Sequence, residues 1–290
     1  MKDPLQISHK SVLGLGLDGF HRIAYTERGT LDAERTLICV HGLSRNSRDF
    51  DRLAEHLVPR FRVVCPDIVG RGQSDWLRDP THYNYLQYNA DMNALIARLD
   101  ADEIDWLGTS MGGIIGMMLA ALPETPIRRL ILNDIGPRVP REGLERLAQY
   151  LDTKGRVFRD PAEVNDHFRE IYAPFGPMSD EDWEHMVEHS SAHSEEAGGL
   201  VLKNDPEIGY WIKNRIIVDG NFWDYWDKVQ CPVLVIRGEE SDFLTAETAA
   251  EMTQRGTKVT LVEIPGVGHT PTLNTTEHIE IIEKWLLDTP

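Results

Sequence analysis

The segment 107–113, LGTSMGG, has the residue types of a nucleophile held in a tight turn. Ser110 occupies a Gly-x-Ser-x-Gly pattern between the strand-like EIDWLGTS and the apolar MGGIIGMMLAALP, which is typical of a buried helix. A sharp strand-to-helix turn would hold the hydroxyl at the helix N-terminus, where the helix dipole and free N–H groups favour an oxyanion. The motif and its context therefore predict that Ser110 is a nucleophile.

A serine hydroxyl attacks only when a base removes its proton, and the base must be oriented by an acid. GVGHTP places His269 after the last predicted strand, and RGEESDFL places Asp242 after the preceding one. Loops that follow parallel strands open at the same edge of a sheet. We therefore predict a triad of Ser110 as nucleophile, His269 as general base and Asp242 as the orienting acid.

The elements that must position these residues alternate between strand and helix. Apolar strand-like runs cover 21–29, 36–42, 62–67, 103–110, 127–137, 231–238 and 258–266. Helical spacing marks 48–58, 85–100, 111–123, 245–256 and 276–288. This alternation predicts an α/β fold with a doubly wound, mostly parallel sheet.

The alternation stops between residues 138 and 228. LERLAQYL, EVNDHFREIY and EDWEHMVEHS in this stretch have helical patterns. We predict a core domain formed by 1–137 and 229–290, and a helical insertion over 138–228. The insertion contains four of the seven tryptophans, and Trp183, Trp211 and Trp223 are its candidate substrate-binding residues.

Five motifs together resemble those of α/β-hydrolase-fold enzymes of the capped serine esterase type. They are HGLS, DIVGRGQSD, GTSMGG, RGEESD and GVGHTP, and the similarity extends over about residues 20–287. The resemblance implies that the insertion is a cap, placed after the sixth strand. It also implies that the backbone N–H groups of Leu43 and Met111 form the oxyanion hole, and that His41, Asp67 and Ser74 have structural roles.

Other carboxylates compete for the role of the acid. Asp242 lies four residues after Gly238, whereas many relatives place the acid three residues after the equivalent glycine. Glu239 and Glu240 lie in the same loop, and Asp134 follows the strand-like LILN, where some members of the fold carry their acid. Asp242 is our prediction, and Asp134 is its main alternative.

The predicted function is the hydrolysis of carboxylic esters with small or medium acyl groups through an acyl-enzyme. A carbon–carbon bond hydrolase of ring-cleavage products, a lactonase, an amidase and a thioesterase would use the same triad. A ligand-binding receptor on a hydrolase scaffold is the alternative from another class. Ser110 excludes the dehalogenases and epoxide hydrolases of this family, which use a carboxylate at that position. The sequence has no phosphate-binding glycine motif, so we expect no nucleotide cofactor.

The composition disfavours nucleic acid and membranes as partners, and we expect a small-molecule substrate. The 290 residues include 30 basic and 47 acidic side chains, and the net charge of −17 disfavours nucleic acid and anionic membranes. No apolar run reaches the roughly 18 residues of a membrane span, and the polar N-terminus lacks the apolar region of a signal peptide. We therefore expect a cytoplasmic protein, and the sequence leaves its oligomeric state open.

Two further groups of residues have structural interpretations. Cys39, Cys65 and Cys231 lie in apolar, strand-like runs and are predicted to be reduced core residues. His185, His189 and His193 recur at every fourth position of a predicted helix, a spacing that metal sites also use. Their glutamate-rich neighbours favour a solvated helix face instead, so we expect no metal.

Overall fold

The fold is built on an eight-stranded sheet in a computed structural model that describes residues 5–58, 60–151, 155–214 and 217–289. Its strands are β1 (Ser8–Gly16), β2 (Gly19–Arg28), β3 (Arg35–Val40), β4 (Phe61–Pro66), β5 (Ile104–Thr109), β6 (Ile127–Asn133), β11 (Val233–Gly238) and β12 (Val259–Ile264). The order across the sheet is β1-β2-β4-β3-β5-β6-β11-β12. Strand β2 pairs antiparallel with β1 and β4, and all other neighbours pair parallel.

Helices cover both faces of this sheet. The core helices are α1 (Asp51–Leu57), α2 (Tyr85–Leu99), α3 (Met111–Ala120), α9 (Ala246–Gln254) and α10 (Thr276–Asp288). One apolar cluster joins the sheet to α2 and α3, and a second joins it to α1 and α10. Strands β4 and β11 are buried along their whole length, as expected of strands packed on both faces. The predicted doubly wound sheet is thereby confirmed.

The segment 138–228, which we call the insertion, begins five residues after β6. It contains the helices α4 (Arg141–Tyr150), α5 (Pro161–Ile171), α6 (Asp180–Ser190), α7 (Tyr210–Lys213) and α8 (Trp223–Trp226). It also contains two short antiparallel ribbons that the helical prediction did not include. These pair β7 (Arg138–Val139) with β10 (Gly220–Asn221), and β8 (Ser191–Ser194) with β9 (Gly199–Leu202).

The insertion has a small apolar core of its own. Phe158, Val164, Phe168, Trp183 and Val187 are all buried in it. This cluster is separate from the two clusters that pack on the sheet. The three cysteines lie in the core domain as free thiols. Within the described ranges, no helix combines the length and the apolar character that a membrane span requires.

Candidate active site

Ser110 lies at the turn between β5 and α3, as the motif predicts. Its backbone is left-handed, with φ of 51° and ψ of −114°, a conformation that a residue with a side chain rarely adopts. Side chains are excluded on both flanks of this turn. A Cβ at Gly108 would overlap the backbone of Gly112, and one at Gly112 would overlap the carbonyl of Val40. The two glycines thus permit a turn that presents Ser110 at the start of α3.

A continuous hydrogen-bonded relay runs from Ser110 through His269 to Asp134. His269 Nε2 lies 2.8 Å from Ser110 Oγ, and His269 Nδ1 lies 2.8 Å from Asp134 Oδ2. A carboxylate oxygen only accepts, so Nδ1 carries the hydrogen in the neutral ring. Nε2 is then left with the lone pair that can accept the proton of the Ser110 hydroxyl.

Asp134 follows β6 directly and has no exposed surface. Its Oδ1 accepts a hydrogen bond of 2.8 Å from the Gly238 N–H. Its Oδ2 accepts a second, of 2.6 Å, from the Ser241 hydroxyl, in addition to the one from His269. Three donors thus hold this buried carboxylate in place, as a buried polar group requires.

Asp242 was predicted to orient His269, but the structure joins His269 to Asp134 instead. Asp242 instead accepts from Nε and Nη2 of Arg146, at 2.5 and 2.6 Å. Asp134 and Asp242 follow β6 and β11, which are neighbours in the sheet, so both arrive close to His269. The alternative acid, Asp134, is the one that the backbone aims at the imidazole, because Asp242 lies farther along the turn and faces the insertion.

The loop that was expected to supply an oxyanion donor is fixed by His41. This wholly buried ring lies 2.7 Å from the Gly42 carbonyl through Nδ1, and its Nε2 accepts from the Ile68 N–H at 3.0 Å. Burial lowers the pKa of His41 to about 3. The ring is therefore neutral at ordinary pH, in keeping with its predicted structural role.

Arg71 connects the two residues whose N–H groups were predicted to bind an oxyanion. It is completely buried, and its Nε donates to the Leu43 carbonyl at 2.8 Å. Its Nη2 lies 3.6 Å from Met111 Sδ, and its Nη1 donates to the Val69 carbonyl and to the Tyr88 hydroxyl. The sequence motif DIVGRGQSD contains Arg71, but nothing in the pattern indicated this bridging position.

Asp67 and Ser74 hold the turn after β4, as expected. Asp67 accepts from the Ser47 and Gln73 N–H groups at 2.7 and 2.8 Å. The Ser74 hydroxyl donates to the Asp67 carbonyl at 2.6 Å and accepts from the Ala24 N–H. Burial raises the pKa of the Asp67 carboxyl, although the two N–H donors oppose this.

A cleft opens above Ser110 and His269. Its core side includes the loop of residues 42–45 and the turn after β11. Its opposite wall comes from α4, α5 and α6 of the insertion and the segments between them. The apolar side chains in its lining are Leu43, Phe50, Leu147, Ile171, Phe175, Met178, Met186, Phe243 and Pro271. Polar side chains also line the cleft, among them Arg45, Asp49 and Asn274. The Ser44 and Tyr172 hydroxyls bond each other at 2.9 Å.

The tryptophans proposed as substrate-binding residues lie elsewhere. Trp183 is buried in the apolar core of the insertion. Trp211 donates to the Thr81 carbonyl, and Trp223 packs against the core domain beneath the guanidinium of Arg255. In the described residues none of the three lines the cleft. They fail as candidates because each is used for packing, and the aromatic lining comes from phenylalanine and tyrosine.

The predicted helix of three histidines ends earlier than expected. Helix α6 stops at Ser190, and His193 belongs to β8. His185 and His189 remain one turn apart and meet Asp51 of the core, with the three ligand atoms within 4.8 Å of one another. The Arg48 guanidinium bonds both Asp51 and His189 Nδ1, which places a fixed cation among these groups. This arrangement ties α6 to α1.

Comparison with known proteins places this chain in a family. The sequence model of the family described as alpha/beta hydrolase fold matches residues 35–274. A 3-hydroxybutyrate-oligomer hydrolase of Cupriavidus necator is 43% identical over 261 residues, which cover 88% of this chain and 89% of the relative. A 2-(acetamidomethylene)succinate hydrolase of Mesorhizobium japonicum is 24% identical over 80% of this chain and 81% of its own.

Solved structures agree with the same assignment. An alpha/beta hydrolase from Novosphingobium aromaticivorans superposes with a TM-score of 0.82 at 33% identity, covering 96% of this chain and 98% of its own. A crystal structure from Rickettsia typhi reaches a TM-score of 0.88 at 34% identity, covering 98% of this chain and all of the other. The expected family and fold are confirmed: the chain belongs to the α/β-hydrolase fold family.

Proposed function

We propose that the protein is a serine hydrolase that cleaves carboxylic esters, with Ser110, His269 and Asp134 as its catalytic triad. The observation that supports this most directly is the relay of two 2.8 Å contacts, which ends at Ser110 on the floor of an apolar cleft. Nucleophile, base and orienting acid are each within hydrogen-bond reach of the next.

In the acylation step, the Ser110 hydroxyl oxygen attacks the ester carbonyl carbon while His269 Nε2 takes its proton. The carbonyl electrons move onto oxygen, and the N–H groups of Leu43 and Met111 stabilise the resulting oxyanion. The carbon–oxygen bond to the alcohol then breaks, and the imidazolium returns the proton to the departing alkoxide. The products are a free alcohol and an acyl group on Ser110.

Deacylation repeats the sequence with water. His269 removes a proton from water, the hydroxide adds to the acyl carbon, and Ser110 Oγ leaves with the proton from the imidazolium. The carboxylic acid departs and the enzyme returns to its starting state. Both steps need a neutral imidazole first, so kcat/KM should rise with pH through a single ionisation.

Residues 138–228 act in this proposal as a cap that limits the substrate. The insertion leaves the core just beyond β6, next to Asp134, and supplies Leu147, Met178 and Met186 to the cleft wall. An apolar wall of this kind favours acyl or alcohol groups with a hydrocarbon part.

The proposed substrate class is short esters of hydroxy acids. The relative with 43% identity is named for hydrolysis of 3-hydroxybutyrate oligomers, and it is matched over most of both chains. Such oligomers are linear esters with small methyl branches and a terminal hydroxyl. The largely apolar cleft with the Ser44–Tyr172 hydroxyl pair is compatible with that chemistry.

A substrate panel tests the proposal. It compares p-nitrophenyl esters of increasing acyl length with 3-hydroxybutyrate dimer and trimer, a lactone and a thioester. We expect ester turnover with preference for the oligomers. Ser110→Ala should lower kcat roughly 10⁴- to 10⁶-fold and abolish labelling by a fluorophosphonate.

Two outcomes would contradict it. Substantial activity in folded Ser110→Ala, or probe labelling at another residue, would exclude Ser110 as the nucleophile. Tight binding of small ligands without turnover of any panel member would favour a receptor instead.

A further inference from the structure

The turn between β11 and α9 is organised around Ser241, which touches the proposed catalytic acid. Its hydroxyl donates to Asp134 Oδ2 at 2.6 Å. The same oxygen accepts from the Phe243 and Leu244 N–H groups at 3.2 and 3.0 Å. Ser241 therefore fixes the position of the next residues relative to Asp134.

Phe243, held by this turn, lies flat against the proposed catalytic base. The Phe243 and His269 rings are stacked with centroids 3.9 Å apart and planes 12° apart. Phe243 is itself 3% exposed, so its neighbours keep it in place. The two hydrogen bonds of His269 lie at the edge of its ring, whereas Phe243 contacts the face of the ring.

Asp242, between Ser241 and Phe243, is bound by the insertion. Arg146 of α4 pairs with it through two nitrogens and also donates to the Tyr150 hydroxyl at 3.0 Å. The Arg146 guanidinium carbon lies 5.6 Å from the centre of the Phe243 ring. Arg146 of the insertion thus contacts both Asp242 and Phe243.

The backbone of α4 also lies close to this turn. A Cβ at Gly143 would lie 2.9 Å from the Asp242 carbonyl oxygen and 3.0 Å from the Phe243 ring. Only glycine allows that approach without a shift of the helix or of the turn. Helix α4 therefore packs on the turn through its backbone as well as through Arg146.

We propose that Phe243 is a positioning residue that fixes the plane of the His269 imidazole, and that the Arg146–Asp242 ion pair joins this contact to the insertion. Hydrogen bonds at Nδ1 and Nε2 define an axis through the ring but do not stop the ring from tilting about it. A flat aromatic face at stacking distance opposes that tilt. The insertion thereby supports the base as well as the cleft wall.

Charges near His269 come from several elements. Asp134 follows β6, Asp242 and Glu240 lie in the turn, and Arg146 comes from α4. Farther along the cleft, Arg45 pairs with Asp49. Although burial opposes its charge, the hydrogen bond to Asp242 raises the pKa of Arg146 above its usual value. The Arg146–Asp242 pair is therefore formally neutral when Asp242 is ionised.

The proposal rests on the proposed function, and substitution of Phe243 tests it. Phe243→Leu keeps apolar volume but loses the flat face, whereas Phe243→Tyr keeps the face. With p-nitrophenyl acetate, we expect Phe243→Leu to lower kcat about three- to tenfold with little change in KM, from the value of an aromatic pair. Phe243→Tyr should restore most of the loss.

Phe175→Leu is the matched control, because Phe175 lines the same cleft but its ring contacts Tyr172, at a tilt of 31°, and not His269. It should change mainly KM for longer esters. A change in KM alone for Phe243→Leu, or no rescue by tyrosine, would overturn the positioning role. An active Ser110→Ala variant would instead overturn the proposed function, which keeps the two failures distinct.

The link to the insertion is tested by Arg146→Gln, Asp242→Asn and the double variant. Each should lower kcat two- to fivefold, and the double variant should be no worse than either, because all three break one contact. Removing the cation leaves a carboxylate near His269 and should move the pH profile of kcat/KM upward. Removing the carboxylate should move it downward, and the double variant should restore it.

These shifts should amount to a few tenths of a pH unit and shrink in high salt, because the pair is partly exposed. Strictly additive losses, or shifts of the same sign in both single variants, would contradict the link. This second series also tests the proposal if Phe243→Leu does not fold.

Discussion

Asp134 owes its suitability as an acid to its complete burial together with three donors. We expect Asp134→Asn to lower kcat by about 10⁴, because an amide cannot stabilise the imidazolium and permits the wrong tautomer. Asp242→Asn should cost less than tenfold. Steady-state kinetics on both purified variants, with circular dichroism as the folding control, decide the matter. A severe loss in Asp242→Asn with a mild one in Asp134→Asn would reverse the assignment.

Burial of His41 makes the stability of the fold depend on pH. Its pKa is about 3 when folded and about 6.5 in an unfolded chain, so the unfolded state binds a proton that the folded state does not. Its contribution is fully present above pH 6.5. It falls by about 1.4 kcal/mol per pH unit as the pH drops from there toward 3.

The variant His41→Gln isolates this contribution. It should be less stable than the parent at pH 7.5, because two hydrogen bonds are disturbed, but the difference should shrink as the pH falls to 5. Urea unfolding at several pH values measures the free energy of unfolding of both proteins. Parallel pH dependences would mean that His41 does not titrate as proposed.

The sequence predicted Ser110 and His269 in positions that the structure joins, because each follows a strand within a short, recognisable motif. It favoured Asp242 over Asp134 as the acid, whereas His269 Nδ1 contacts Asp134 in the structure. Both follow neighbouring strands, and the difference lies in which way each turn points its side chain. Phe243, Ser241 and Arg146 were also missed, since their contacts with His269, Asp134 and Asp242 join residues 26, 107 and 96 positions apart and leave no local pattern.

At the level of elements, the close approach of α3 to β3 depends on Gly112. Its Cα faces the Val40 carbonyl, where any Cβ would overlap. We expect Gly112→Ala to destabilise the fold by about 1–3 kcal/mol, because α3 must move away, and to lower kcat by displacing Ser110. Thermal unfolding and ester kinetics measure the two effects.

Gly42→Ala is the matched control for folding. A Cβ there would have its nearest neighbours at 3.8 Å or more, which is ordinary contact. It should unfold at nearly the parent temperature. Equal destabilisation by both substitutions would show that the packing of α3 on β3 is not the cause.

The elements that the sequence predicted are those with enough residues to show a period. The buried core strands and the long amphipathic helices were found within a few residues of their ends. The two-residue strands β7 and β10 are too short to show a period. In β1, exposed side chains alternate with side chains that are mostly only half-buried, so its pattern is weak. The sequence did not reveal that helix α6 ends before His193. The chain continues directly into β8, with no proline or glycine to mark the boundary.

For the whole molecule, hydrogen bonds and an ion pair join the insertion to the core at several points. Asp205 donates its N–H to the Gly70 carbonyl at 2.8 Å and accepts from the Tyr83 hydroxyl at 2.6 Å. Asn46 Nδ2 donates to Ser190 Oγ at 3.1 Å, and Arg146 pairs with Asp242. The cleft wall is therefore fixed to the same loops that hold the proposed oxyanion donors and the base.

This fixed wall should set substrate length. Met186 of α6 and Leu147 of α4 both line the cleft on the side of the insertion. Met186→Ala should enlarge the acyl pocket, and Leu147→Trp should shorten it. We expect the ratio of kcat/KM for octanoate over butyrate p-nitrophenyl esters to rise roughly tenfold in the first variant and to fall by a similar factor in the second.

Glu184→Ala provides the control, because Glu184 is exposed on the same helix as Met186 and lies outside the cleft lining. Its selectivity should match that of the parent. Fluorophosphonate labelling of Ser110 should proceed in all three variants, since a small probe does not reach the altered wall. If selectivity stays unchanged in both cleft variants while labelling persists, the insertion does not shape the acyl site. If labelling is lost from a folded Leu147→Trp protein, the wall lies closer to Ser110 than the lining residues indicate.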